Sequence, residues 1–262
     1  MRIVICDTGE AATGRVARRI AETVTRKPDA VLGLATGGTM EPVYRALIAE
    51  HEGGLSFAAA TSFNLDEYVG LPPAHPQSYH SYMATHFFDH VDLPRDRRFL
   101  PRGDHDPDVA AADYEALIAR HGPIDLQLLG LGHNGHIGFN EPGSSLASRT
   151  RDKALTRRTR AANARFFAEG ETPPDTAITM GIGTIMEARA VILLALGPGK
   201  AAAAAQVIEG PVSAICPGSA LQFHPDVTIV LDEAAAADLT LKEHYREAEA
   251  LHRSHRRAQA RR

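Results

Sequence analysis

The chain contains no tryptophan and only two cysteines, and no apolar stretch approaches the roughly 20 residues that a membrane helix needs. Cys6 and Cys216 are too few for a disulfide framework and lack metal-ligand spacing, so a reducing compartment is expected and both thiols read as core or inert positions. The opening residues MRIVICD carry no basic region, no long apolar segment and no small-residue cleavage site, which leads to the expectation of a soluble cytoplasmic protein. No Pro-, Gly- or Ser-rich linker divides the 262 residues, and a hydrophobic content of 44% is enough for one large core, so residues 1–262 read as a single domain. Excess positive charge is missing as well. A formal net charge of −4 argues against a general nucleic-acid binder and leaves two local basic concentrations, RTRDKALTRRTR at 149–160 and HRSHRRAQARR at the C-terminus. His75, His80, His86 and His90 do not make a metal set, because no carboxylate or third histidine has matching spacing; they read as surface or packing residues.

What is present is an alternation of strand and helix patterns. Strands are expected at 3–6, 30–34, 56–65, 126–131, 190–196 and 227–231. Helices are expected at 10–25, from 39 onward, and at 78–88, 107–121, 201–208 and 240–257. Such alternation predicts an α/β fold with a mainly parallel sheet covered on both faces.

Three loops at strand ends carry the chemistry. Residues 128–145, LLGLGHNGHIGFNEPGSS, place His133, Asn134, His136, Asn140 and Glu141 just past an apolar strand, where ligands of open α/β sheets collect. The ATGGTMEP stretch after the second strand is a Gly-Gly turn opening a helix. Its backbone N–H groups can meet an anion, and it can equally be a simple tight turn. Asp66, closing the third strand pattern, reads either as a functional carboxylate or as an N-cap or turn residue. A second Gly turn, GPGK at 197–200, puts Lys200 in the first turn of a helix, where a cation is disfavoured by the dipole and invites an anionic partner.

Read together, LATGGTMEPVYRAL, SFNLDEYVGLPPAHPQSYHSYM, LLGLGHNGHIGFNEPGSSLASRTR, ANARFF, TMGIGTIMEA, LALGPGKA and LQFHPDVTIVLDE resemble the glucosamine-6-phosphate deaminases. The blocks stand in that family's order and cover nearly everything but the first 25 residues and the tail. The resemblance implies a modified Rossmann-like α/β/α sandwich, a single catalytic domain, and conversion of glucosamine 6-phosphate and water to fructose 6-phosphate and ammonia. It implies neither a metal nor an organic cofactor. By resemblance Asp66 moves the proton between carbons 2 and 1, His136 opens the ring, and Glu141 orients His136. Asn134 stands where some family members carry Asp; an amide cannot take a proton, so its role is expected to be positional. Thr36, Gly37, Gly38, Thr39, Arg165 and Lys200 match phosphate-binding positions.

Some family members are hexamers activated by N-acetylglucosamine 6-phosphate, and Ser144, Arg151 and Lys153 match positions of that activator site. The tail does not align with the pattern that completes it, so the resemblance leaves regulation and a homo-oligomer open. The basic clustering at 149–160 also fits a mobile lid at about 150–180. Two rival readings are a 6-phosphogluconolactonase on the same fold and a non-catalytic sugar-phosphate sensor. The NEPGSSLASRTR and FNLDEYVG stretches disfavour the first, and the absence of room for a helix-turn-helix disfavours the second.

Overall fold

A computed structural model of the chain describes residues 1–164, 167 and 170–259. The chain runs β1 (Arg2–Cys6), α1 (Gly9–Arg26), β2 (Val31–Leu34), α2 (Glu41–Glu52), β3 (Thr61–Asn64) and β4 (Asp66–Tyr68). Then follow α3 (Tyr79–His86), β5 (Arg98–Phe99), α4 (Pro107–His121), β6 (Leu126–Gly130), β7 (Arg151–Ala154) and α5 (Arg157–Ala164). The last elements are β8 (Thr176–Thr179), α6 (Ile182–Met186), β9 (Val191–Ala195), α7 (Ala201–Ile208), β10 (Val227–Asp232) and α8 (Lys242–Gln259).

Seven strands form one sheet in the order β1-β10-β9-β6-β2-β3-β5, every neighbouring pair parallel. The strand sequences explain this. VLGL of β2 and VILLA of β9 are buried at every position, as strands covered on both faces must be. Helix α1 buries Ala12, Val16, Ala17, Ile20 and Val24 along one stripe, and Thr8 caps its start by accepting from Ala11 N–H at 3.1 Å.

The expected strand over 56–65 begins only at Thr61. Ala58, Ala59 and Ala60 have little β preference, and the chain turns there, with Ala60 N–H bonded to Phe57 C=O at 2.9 Å. The same pattern also breaks at Leu65. Asp66, Glu67 and Tyr68 leave the main sheet and pair antiparallel with β8, which pairs with β7, giving a second sheet in the order β4-β8-β7. Asp66 is therefore a buried strand residue facing Thr179 and not an N-cap.

Candidate active site

The carboxyl ends of β2 and β6, adjacent in the sheet, open into a cleft of 240 Å³. It is lined by the 35–40 turn, Asp66, Tyr79, residues 130–133, His136, Thr159 and Lys200, among others. This is the crevice where strand order runs outward from β2, through β3 and β5 on one side and through β6 and β9 on the other, the expected ligand position of an open α/β sheet.

One end is formed by the Gly-Gly turn ahead of α2. Gly37 takes φ +102°, a left-handed conformation that a side chain would strain, and a Cβ there meets nothing within 4 Å. Gly37 C=O is fixed by Met40 N–H at 2.8 Å and by the Tyr82 hydroxyl at 2.9 Å, so the turn is held from two sides. Helix α2 follows at once, with Pro42 in its first turn. Lys200 comes to the same cleft from the short turn Pro198–Lys200 ahead of α7.

Asp66 lies across from this turn and is 6% exposed. Burial, and secondarily the neighbouring Glu67 carboxylate, push its carboxyl up to about 8. Gly138, at φ +56°, lets the loop pass close by: a Cβ there would sit 2.9 Å from Thr179 Oγ1 and 3.6 Å from Asp66 Oδ2.

The loop after β6 brings the remaining groups together. The His136 ring lies against Gly132, where a Cβ would stand 2.3 Å from the imidazole, so only glycine admits this ring position. His136 Nδ1 is 3.4 Å from Glu141 Oε2, an ion-pair separation without a good hydrogen bond, and Nδ1 has no hydrogen-bond partner. Oε2 instead accepts from the Asn134 amide at 2.7 Å, while Asn134 Oδ1 accepts from the His136 backbone N–H at 3.3 Å. Glu141 Oε1 accepts from the Thr159 hydroxyl and, at 3.3 Å, from Thr156. Burial would raise the Glu141 carboxyl, but the adjoining His136 imidazole and Thr159, helped by Asn134, outweigh it and hold the group at about 2. His133, also in the cleft wall, is pushed down by burial and by the positive charge of Arg158, with His136 and Lys200 adding to it.

Of the residues singled out in the sequence, Thr36, Gly37, Gly38, Thr39, Asp66, His136 and Lys200 share the cleft. Asn134 and Glu141 stand behind His136. Arg165 lies outside the described residues. Arg151 and Lys153 occupy alternate positions of β7 and share a face, while Ser144 is buried and its hydroxyl has no hydrogen-bond partner. Sequence reasoning missed Thr159, Thr156 and Tyr79, and took His75 and His80 for surface or packing residues. His80 Nδ1 in fact lies 2.8 Å from the buried Glu67, and His75 Nε2 lies 2.7 Å from Glu171. Nothing local marks these pairs, because each joins separate elements. Among the described residues no group of three or more His, Cys, Asp or Glu side chains could hold a metal ion, and no helix is long and apolar enough to cross a membrane.

A parallel α/β sheet that gathers a Gly-Gly turn, a buried carboxylate pushed up to about 8 and a carboxylate-backed imidazole in one cleft has the groups that acid/base chemistry on a small molecule requires. Residues 7–229 match the family of glucosamine-6-phosphate isomerases and 6-phosphogluconolactonases, and the chain belongs to that family. It is 52% identical over 252 residues to a glucosamine-6-phosphate deaminase of Shewanella loihica, covering 95% of this chain and 94% of that protein. It is 55% identical over 239 residues to one of Rhodopirellula baltica, covering 90% and 95%. Among solved structures, a monomeric glucosamine-6-phosphate deaminase superposes with a TM-score of 0.88 at 47% identity, over 91% of this chain and all of the other. A 6-phosphogluconolactonase from Trypanosoma cruzi shares the fold, with a TM-score of 0.74 at 22% identity, over 91% and 97%.

Proposed function

We propose that the protein converts glucosamine 6-phosphate and water to fructose 6-phosphate and ammonia. The observation that carries this is the placement of Asp66 and His136 in one cleft with the 36–39 turn and Lys200. The family includes lactonases, but the relatives named at about half identity are deaminases.

In this reading the phosphate binds the N–H groups of the 36–39 turn and Lys200, with Arg165 as a further cation. His136 moves a proton between the anomeric hydroxyl and the ring oxygen, and Glu141 stabilises the imidazolium formed on the way. Asp66 then removes the proton at carbon 2 and returns it to carbon 1 as the enolamine becomes a ketose imine. Water adds to the imine and ammonia leaves. A carboxylate near 8 is a strong base poised close to neutral pH, and the cationic amine of the bound sugar favours its ionised form.

Ammonia release on mixing the protein with glucosamine 6-phosphate tests the reading; turnover of 6-phosphogluconolactone instead would replace it. Lys200→Ala should raise KM for the phosphorylated sugar about tenfold or more with kcat largely kept, measured by steady-state ammonia release.

A cytoplasmic location, a homo-oligomer and an activator site for N-acetylglucosamine 6-phosphate at Ser144, Arg151 and Lys153 belong to the same proposal. A route for activation is available, since Arg151 Nη1 donates to Asn140 Oδ1 at 2.8 Å and Asn140 precedes Glu141. Sigmoidal kinetics relieved by that sugar phosphate would support it, and hyperbolic kinetics unaffected by it would end it. A lid at about 150–180 completes the single catalytic domain in this reading; substrate should then slow proteolysis within that segment.

A further inference from the structure

Asp66 and Glu67 are neighbours on β4, so their side chains leave opposite faces of the strand. Asp66 enters the cleft, and Glu67, 1% exposed, goes behind it to the start of α3. There Glu67 Oε1 accepts from Tyr68 N–H at 2.8 Å and Tyr79 N–H at 3.0 Å. Its Oε2 accepts from His80 N–H at 3.1 Å and meets His80 Nδ1 at 2.8 Å. All three backbone partners are donors, and two of them are N–H groups of a helix's first turn, which have no acceptor within the helix, so this buried side chain is surrounded by groups that a negative charge suits. With Oε2 accepting, a proton of His80 is placed on Nδ1. The His80 side chain is 24% exposed, so the pair reaches from the buried carboxylate toward solvent.

We propose that Glu67 and His80 are a positioning pair for Asp66: Glu67 keeps a fixed negative charge directly behind the base and ties Tyr79 of the cleft wall to β4, and His80 offsets part of that charge from the solvent side. The inference rests on the deaminase reading only for what Asp66 does to the sugar; the electrostatic coupling itself is independent of any substrate.

The other groups facing Asp66 do not duplicate this arrangement. Tyr79 from α3, half-buried, and Tyr114 from α4, buried, carry phenols that sense the Asp66 charge, and both are pushed well above their ordinary range, chiefly by desolvation. His136 and Lys200 line the same cleft and favour the ionised base when they are cationic. Glu67 is the anionic neighbour that acts the other way, and it is the charge that raises Asp66 beyond what burial does. A base raised in this manner is stronger at carbon 2 once it is ionised, which is the use of placing a second carboxylate behind it.

The test is a titration of the Asp66 carboxyl by carbon NMR in the full-length protein labelled at aspartate Cγ, its resonance assigned as the one lost in Asp66→Asn. Glu67→Gln should lower the midpoint by roughly one pH unit or more. His80→Ala should raise it by a smaller amount, because Glu67 loses its offsetting partner. Opposite shifts are not what a merely structural role produces. A midpoint unchanged within about 0.2 units in the folded His80→Ala protein, or a shift of both variants in one direction, would overturn the proposal. If Glu67→Gln does not fold, His80→Ala decides alone. Where the protein releases ammonia from glucosamine 6-phosphate, the acid limb of kcat/KM should follow the same two shifts. Absence of ammonia release from the unsubstituted protein would remove the deaminase reading and leave the NMR result standing.

Discussion

Two carboxylates serve the same imidazole-bearing site, Asp66 lining the cleft and Glu141 behind His136, both hidden from water and driven in opposite directions. Asp66 is 6% exposed and Glu141 is 2% exposed. Among the described residues no hydrogen-bond donor reaches the Asp66 carboxylate, and its nearest charged neighbour on the chain is another carboxylate, so it rises to about 8. Glu141 meets an imidazole, two hydroxyls and an amide, and falls to about 2. Burial alone therefore does not decide the state of a carboxyl group; the donors that accompany it do. The outcome separates two tasks. In the proposed mechanism Asp66 exchanges a proton near neutral pH, whereas Glu141 is a lasting charge that steadies a protonated histidine.

The largest effect should come from removing the exchangeable member. Asp66→Asn is expected to lower turnover of glucosamine 6-phosphate by about 10²–10⁴-fold in an ammonia-release assay. It should also stabilise the fold at alkaline pH. The folded-state value of about 8 lies above the ordinary 3.8, so the folded protein holds this proton more tightly than the unfolded chain. Stability from that source is full below 3.8, declines as pH rises, and is gone above about 8. The Tm of Asp66→Asn should accordingly exceed that of the unsubstituted protein by an amount that is smallest at pH 4 and grows up to pH 8. A gap that does not change with pH would show that Asp66 is not the high member of the pair.

A smaller effect separates the groups around the low member. In the proposed mechanism His136→Ala removes the group that passes protons, and a loss of about 10²-fold or more is expected. Asn134→Ala removes one hydrogen bond to an ionised acceptor, worth about 1.5–3 kcal/mol, and should cost less in kcat/KM than His136→Ala. Equal losses would mean that the amide does more than hold geometry.

Much of this was open to sequence reading where the groups are contiguous. His136 and Glu141 sit on one loop bounded by glycines, and an apolar run ending in polar residues marks that loop without any tertiary knowledge. The main parallel sheet was legible for a similar reason, since strands such as VILLA are apolar throughout. The second sheet was not, because β4 and β7 are three and four residues long and polar, so no periodicity distinguishes them from loop. The contacts that tune the carboxylates escaped for a different reason. Thr159 reaches Glu141 across 18 positions and His80 reaches Glu67 across 13, and each contact exists only after its helix has docked. Thr159 lies within a segment whose conspicuous feature is its arginines, which draw attention to charge and away from a hydroxyl.

Thr159 offers the mildest way to weaken the contrast between the two carboxylates. It is buried, and its hydroxyl donates to Glu141 Oε1, so Thr159→Val removes one donor with little change of shape. The folded-state value of Glu141, about 2, lies below the ordinary 4.5; its contribution to stability is present above 4.5 and is lost as pH falls through about 2. With one donor gone the carboxyl should move back toward 4.5. The acid-unfolding midpoint, followed by circular dichroism, should then shift to higher pH, with a stability loss near neutral pH of about 1 kcal/mol. The Asp66 titration should not move, because Thr159 donates to the carboxylate on the far side of His136. If Asp66 shifts as well, the two groups titrate as one coupled set through the imidazole, and the division of tasks between them has to be replaced by a shared proton.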